Sequence, residues 1–333
     1  MLDSANVTMS TNFWKQLDRP ILALAPMVGI TDSAFRLLAR QWGADVVYSE
    51  MISADALVHN AKKAHAMMDH ETAEFPLVVQ LMGNEPAVLA KAARMAADRG
   101  VSGIDINFGC PAHKIARNFC GAMLMRDLDR CRRLIVATIE AVDIPVSIKV
   151  RVSIKKERSH GMEPSHITIL DFLEKVSDLP IAAIMVHGRS FEDPFDGGVR
   201  VDMIRAVKER FNSGPVIANG GITTIESSAQ LLEETGADGI GLARSVIGKP
   251  WLFRQIRQYL ETGTYEAMEW DMIQSTVIDH AMLFDRLRGD VPFVSIRKHL
   301  SHYVRGIDGA SALRQKLVLA SSSSEVASIL QHG

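Results

Sequence analysis

The amino-acid sequence predicts an α/β fold: a (β/α)8 TIM barrel followed by a small C-terminal all-helical domain. Three observations predict it. Eight short apolar runs recur, each followed by a helix-like stretch; no G-x-G-x-x-G follows the first run; and no strand-like run comes after Trp251. The runs are Ile21–Met27, Val46–Glu50, Leu77–Gly83, Gly103–Gly109, Val146–Val152, Ala183–Arg189, Pro215–Gly221 and Gly239–Arg244. Most are nearly continuous in apolar character rather than alternating, which suits parallel strands covered on both faces. Eight strand–helix units without a dinucleotide fingerprint favour a closed barrel over an open doubly wound sheet.

In chain order, residues 1–19 form an N-terminal extension. Its first part, Met1 to Asn12, is polar and has no apolar leader core, so the expected location is cytoplasmic. The barrel is placed at residues 20–262. Within it, Glu85–Arg99 has Pro86 near its start and Gly100 just past its end, the punctuation of a helix, and Asp127–Ala141 is a second such stretch. Residues 263–333 form the helical domain. Met272–Leu287, Val294–Arg305 and Ser311–Ser321 read as helices, with Gly263, Gly289 and Gly306–Gly309 as breaks.

Composition excludes several classes. Lys and Arg total 37 against 39 Asp and Glu, a net charge of −2, so an RNA partner would need a local basic patch rather than a cationic protein. Cys110, Cys120 and Cys131 form no C-x-x-C pair, which argues against a zinc site or a disulfide framework and suits a reducing compartment. No H-x-H or H-E-x-x-H spacing supports a metal. No apolar run approaches the roughly 18 residues of a membrane span. The expected state is a monomer with no metal and no membrane contact.

Active sites of such barrels lie at the C-terminal ends of the strands. Those ends carry Gln80, Asn107, Lys149, Arg151, His187, Asn219-Gly220-Gly221 and Ala243-Arg244. The ends of strands seven and eight commonly build a phosphate site from backbone N–H groups. Glycines there admit close approach, and Arg244 can pair with phosphate; the other reading makes Gly-Gly a turn and Arg244 a surface charge. Lys149 sits inside a buried-looking strand and needs an anionic partner. A reduced flavin would serve, with Gln80 at its pyrimidine edge; a barrel carboxylate such as Asp105, or Schiff-base chemistry, are the alternatives. Cys110, held extended by Pro111, is a candidate acid or nucleophile, whereas Cys120 and Cys131 read as buried small hydrophobes.

These residues, in this order, resemble the tRNA-dihydrouridine synthase family, in particular its bacterial branch. The resemblance rests on Ala25-Pro26-Met27-Val28-Gly29-Ile30-Thr31-Asp32 with Phe35-Arg36, on Ser49-Glu50-Met51 and on Val79-Gln80-Leu81-Met82-Gly83. It continues through Asp105-Ile106-Asn107-Phe108-Gly109-Cys110-Pro111 with Lys114 and Gly121-Ala122, Lys149-Val150-Arg151, Val186-His187-Gly188-Arg189, Asn219-Gly220-Gly221-Ile222 and Arg297-Lys298-His299. It spans roughly residues 20 to 305. The resemblance implies FMN as cofactor, held by Pro26, Met27, Gln80, Lys149, His187, Asn219, Gly220, Gly221, Ala243 and Arg244, and NADPH or NADH as reductant. It implies Cys110 as general acid and Asn107 and Arg151 at the target base. Lys114, Arg297, Lys298 and His299, with Arg305, Arg314 and Lys316, would meet the tRNA.

The chain departs from the family pattern at Ala243, where glycine is usual. It departs again after Arg151, where Val152–Arg158 replaces a Gly-Trp pair, and at Phe119-Cys120. Rival readings are a flavin dehydrogenase of a free pyrimidine such as dihydroorotate, a flavin-free sugar-phosphate isomerase or aldolase, and a non-catalytic RNA-binding homologue.

Overall fold

In the computed structural model, which describes residues 12–156, 165–194, 196–288, 291–305 and 309–332, eight parallel strands close into a barrel. They are β1 (Ile21–Leu24), β2 (Val46–Tyr48), β3 (Leu77–Met82), β4 (Gly103–Phe108), β5 (Val146–Lys155), β6 (Ile184–Ser190), β7 (Val216–Asn219) and β8 (Gly239–Leu242). Each strand pairs with the next, and β1 closes the ring on β8, with Ile21 opposite Gly239 and Leu24 opposite Leu242. All eight predicted runs are strands of this barrel, and helices surround it.

The apolar runs are continuous because both faces of every strand are covered. In β1, Leu22 and Leu24 join the core beneath the surrounding helices. Ile21 and Ala23 turn inward and meet Val46, Tyr48, Val78, Met185 and Ile217. The inner cluster is completed by Trp14, which the short 3-10 turn Phe13–Lys15 delivers to the N-terminal end of the barrel. The Asn12 side chain starts that turn by accepting from the Trp14 N–H at 3.2 Å. Trp14 is completely buried and closes the barrel floor.

The strands position the loops above them. Asp32 caps the Ser33–Gln41 helix, accepting from the Phe35 N–H at 3.1 Å. One turn along, Arg36 is buried with Glu74. Its Nε lies 2.5 Å from Glu74 Oε2, while its other nitrogens donate to the carbonyls of Thr31 at 2.9 Å and Asp69 at 2.8 Å. Ser33 donates to the second carboxylate oxygen. A buried pair of this kind is tolerated because every polar atom has a partner, and it pins the loop leaving β1.

β5 runs three residues beyond the predicted end. Val152 and Ile154 are buried, and Ser153–Lys155 pairs antiparallel with His166–Thr168. The rest of the charged stretch, residues 157–164, lies outside the described residues. Past the barrel, the Leu252–Thr262 helix leads to Trp270–Leu287, Arg297–Tyr303, Ala310–Leu317 and Ser323–His332. The last of these has no counterpart among the helices that the sequence predicts, and the predicted Val294–Arg305 helix is instead a 3-10 turn, Phe293–Ile296, feeding Arg297–Tyr303. Val277, Ala281, Phe284, Ile296, Leu300, Leu313 and Leu317 share one contiguous core with the barrel helices. Among the described residues, no helix is long and apolar enough to cross a membrane, and no group of three or more His, Cys, Asp or Glu is placed to hold a metal ion.

Candidate active site

The C-terminal ends of the strands surround a cavity of about 1130 Å³, slightly more than the roughly 1,000 Å³ upper end of ordinary small-ligand pockets. It is lined by residues of every predicted group: Pro26 and Met27, Gln80, Asn107, Cys110, Lys149, Arg151, His187, Asn219 to Gly221, and Ala243 with Arg244. Their convergence follows from the register. Asn107 lies opposite Lys149, and Arg151 opposite His187, which in turn lies opposite Asn219.

Lys149 answers the question that its buried strand raised. Its Nζ donates to Asn219 Oδ1 at 3.0 Å, and Asn219 Nδ2 donates to the Gly241 carbonyl at 2.7 Å. The neighbour that accepts from it is therefore an amide from β7. Asp105 acts only through space: it already accepts from Gln80 and Ser147, each at 2.8 Å. Burial, and then the Arg151 charge, lower the Lys149 ammonium to about 8. Burial raises the Asp105 carboxyl to about 6.

His187 is held neutral. Burial and then the charges of Lys149, Arg151, Arg189 and Arg244 push it to about 2. Arg189 Nη1 lies 3.2 Å from His187 Nε2. A guanidinium can only donate, so Nε2 is the acceptor and the proton sits on Nδ1. The same four cations concentrate positive potential in the mouth of a chain whose net charge is only −2. That local field suits an anionic ligand.

The loop carrying Cys110 is built around its backbone. Asn107 Oδ1 accepts the N–H groups of Gly109 at 3.1 Å and Cys110 at 2.9 Å. Arg151 Nε donates to the Gly109 carbonyl at 2.9 Å and Nη1 to the Ser190 carbonyl at 2.6 Å. The Ala122 N–H returns to the Cys110 carbonyl at 3.1 Å. Gly121 makes this return possible: its φ is +62°, and a Cβ there would stand 2.7 Å from the Cys110 carbonyl oxygen. Cys110 is half-buried at the cavity wall. Cys120 and Cys131 are buried elsewhere, and burial raises Cys120 to about 11 and Cys131 further still.

On the opposite wall, Gly220 has φ +105° and Gly221 φ +75°, a region that other residues enter only at a cost. A Cβ on Gly220 would lie 2.7 Å from the His187 ring, and one on Gly221 would lie 2.8 Å from Val199. The two form a side-chain-free cradle beside Arg244. Ala243, the departure from the usual glycine, has φ −128°, outside the left-handed region that favours glycine.

The residues expected at the nucleic acid do not all gather at the mouth. Lys114 is exposed on the short His113–Ala116 helix and is not part of the cavity wall. Arg297 is tied to the turn after the Ala310–Leu317 helix, donating to the carbonyls of Leu319 at 3.0 Å and Ala320 at 3.1 and 3.2 Å. His299 is corrected outright as a surface contact. It is fully buried, its ring 4.9 Å from Phe35 and 4.8 Å from His280, because consecutive helix residues point in different directions and this one falls on the core face. Lys298 is exposed, with Nζ 3.5 Å from the position of a Cβ on Gly29 in the loop after β1. Arg305 is exposed and joins the cavity wall, as do His302 and Lys249, which sequence reasoning missed. Arg189 was also missed as a site residue, although its place at a strand end beside His187 was a signal. The wall formed by Gly197, Gly198 and Val199 carried none.

Comparison with known proteins places these features in context. The family model described as dihydrouridine synthase (Dus) matches residues 23–332. The tRNA-dihydrouridine synthase B of Pseudomonas aeruginosa is 35% identical over 313 residues, covering 93% of this chain and 92% of the relative. That of Shewanella oneidensis is 35% identical over 285 residues, covering 85% and 86%. Among solved structures, histamine dehydrogenase from Rhizobium sp. 4-9 superposes with a TM-score of 0.53 at 14% identity, covering 79% of this chain and 48% of that one, a likeness of fold.

Proposed function

Because the chain belongs to the dihydrouridine synthase family, we propose that it reduces the C5=C6 bond of uridine in tRNA to 5,6-dihydrouridine, with Cys110 as the proton donor. The observation that carries the proposal is the shared cavity. Cys110 stands in the same mouth as buried Lys149 and the Gly220–Gly221 cradle. An acid is thereby set across from a site suited to an anionic, phosphate-bearing cofactor.

The donor set fits FMN. Asn219 to Gly221, Ala243 and Arg244 would hold its phosphate, Pro26, Met27 and His187 its ring, and Gln80 and Lys149 the pyrimidine edge. FMN held there and reduced by NADPH or NADH would supply the hydride for C6 of the uracil. The chain's own residues do the rest. The C4 carbonyl polarises C5=C6, so addition at C6 builds negative charge toward O4, which Asn107 and Arg151 are placed to stabilise. Cys110 Sγ delivers its proton to C5. The base leaves the RNA stack to reach the barrel mouth, while Lys298 and Arg305 at the rim, and Lys114 and Arg297 farther out, would meet phosphates.

Incubation of purified protein with FMN, NADPH and an unmodified tRNA transcript tests the proposal. Dihydrouridine at a defined position by mass spectrometry is expected. A protein that takes up no flavin, or that reduces free uracil or orotate and not the transcript, would overturn it.

Two further results follow. Gly220→Ala is expected to weaken FMN binding at least tenfold and to lower stability by about 1–3 kcal/mol, since the new methyl must displace the His187 ring; fluorescence titration and urea unfolding measure both. Lys149 gives a pH dependence. Beside the pyrimidine edge the ammonium would meet the negative charge of the reduced flavin, and in the free protein it is lost as pH rises through about 8. Affinity for reduced FMN is therefore expected to fall above pH 8, by up to tenfold per unit, and Lys149→Met should flatten that limb.

A further inference from the structure

Beneath the cavity, four polar side chains stand in one line across β5, β4 and β3. Ser147 Oγ donates to Asp105 Oδ1, and Gln80 Nε2 donates to Asp105 Oδ2, each at 2.8 Å. Asn107 Nδ2 donates to Gln80 Oε1, also at 2.8 Å, and Asn107 Oδ1 accepts the Gly109 and Cys110 N–H groups. The pairing register makes the line possible, because Gln80 lies opposite Asp105 and Asp105 opposite Ser147. Gln80 and Asn107 line the cavity; Asp105 is fully buried and does not.

The line has a direction. An ionised carboxylate only accepts, so Gln80 must turn its nitrogen toward Asp105. Its oxygen then faces Asn107, which must answer with its own nitrogen, and Asn107 Oδ1 is left for the two backbone N–H groups. The two ends of an amide are nearly the same shape, so packing alone would not choose between them. We propose that Asp105 is a positioning residue for the reaction: its carboxylate sets the amide sense of Gln80 and Asn107 and so holds the Cys110 loop over the mouth. The proposal rests on the reading of Cys110 as the acid, and it reaches Cys110 only through two intervening side chains.

Asp105→Leu offers nothing that accepts, so the Gln80 nitrogen loses the partner that fixes its sense and the order of the line is lost; asparagine at this position could instead keep its oxygen toward Gln80 and turn its nitrogen to Ser147 Oγ, whose proton has the Ile104 carbonyl at 3.3 Å. Two readouts are measured on the purified full chain. Alkylation of Cys110 by iodoacetamide, followed by peptide mass spectrometry, is expected to change at least threefold, with buried Cys131 as internal reference. The single-turnover rate on tRNA, started from protein already reduced, is expected to fall at least tenfold. The double variant Asp105→Asn with Gln80→Glu reverses the first bond: the amide introduced at position 105 would donate to the carboxylate introduced at position 80, which still accepts from Asn107. It should return the alkylation rate to within twofold of the parent.

An Asp105→Leu protein whose alkylation and tRNA rates both match the parent overturns the proposal, as does a double variant no closer to the parent than the single. Should Asp105→Leu prove insoluble, the double variant is measured alone against the parent: alkylation within twofold is expected, and a change of threefold or more overturns the proposal. Because alkylation is read without turnover, failure here is separate from failure of the acid assignment, which Cys110→Ala decides.

Discussion

Replacing Cys110 with alanine is expected to leave FMN binding and its reduction by NADPH intact while slowing tRNA reduction roughly 10²–10⁴-fold, the usual contribution of a positioned general acid. The separation follows from how the loop is held. Its anchors are the Cys110 N–H on Asn107 and the Cys110 carbonyl under the Ala122 N–H, and neither uses the thiol. Alanine therefore keeps the loop and removes only the proton. Serine in its place should also be slow, since an alcohol is a far weaker acid than a thiol. Anaerobic stopped-flow absorbance reads the reductive half-reaction, and mass spectrometry of quenched single turnovers reads the RNA half. A Cys110→Ala enzyme that reduces tRNA within threefold of the parent rate removes the acid assignment. One that also fails to bind flavin shows that Cys110 belongs to the cofactor site instead.

Glu74→Gln should have the largest effect on the fold, costing about 3–5 kcal/mol, the range for breaking a buried ion pair by removing one partner. The carboxylate serves Arg36 and Ser33 through its two oxygens and accepts the Glu71 N–H at 3.0 Å. Without it the Arg36 guanidinium stays buried with only carbonyls for company. Set against a typical total stability of roughly 5–15 kcal/mol, the loss is severe. Arg36→Met with Glu74→Leu should recover much of it, because apolar residues of similar volume leave no charge stranded. Urea midpoints of the parent, Arg36→Met, Glu74→Leu and the double variant form the cycle that measures the coupling. A loss below about 1 kcal/mol for Glu74→Gln would mean that the pair behaves as a solvated one. The same variant should loosen the loop after β1, since Arg36 also holds the Thr31 carbonyl, so weaker FMN binding is expected alongside.

The strands were legible because a parallel barrel covers both strand faces, and runs such as Val146–Val152 announce this without any need to know their neighbours. Lys149 was legible as a candidate for a related reason: an ammonium is costly inside a strand unless it has a partner. Which partner it takes was not legible. That Lys149 meets an amide from β7 depends on sheet closure, and closure brings together residues far apart in the chain. His299 was misplaced because three adjacent polar letters suggest one surface, whereas a helix spreads them around its axis. The Trp14 turn escaped notice because so short a segment carries no periodicity. The Ser323–His332 helix begins in a serine run that local composition assigns to a loop.

Trp14 has one more implication. With the lower end of the barrel corked, everything that reaches the proposed cofactor must use the same doorway. The nicotinamide and the flipped base would then compete for one threshold and take turns, the first departing before the second docks. Initial-rate plots for NADPH and tRNA should accordingly give parallel rather than converging lines, and a non-reducible tRNA should inhibit competitively against the nucleotide.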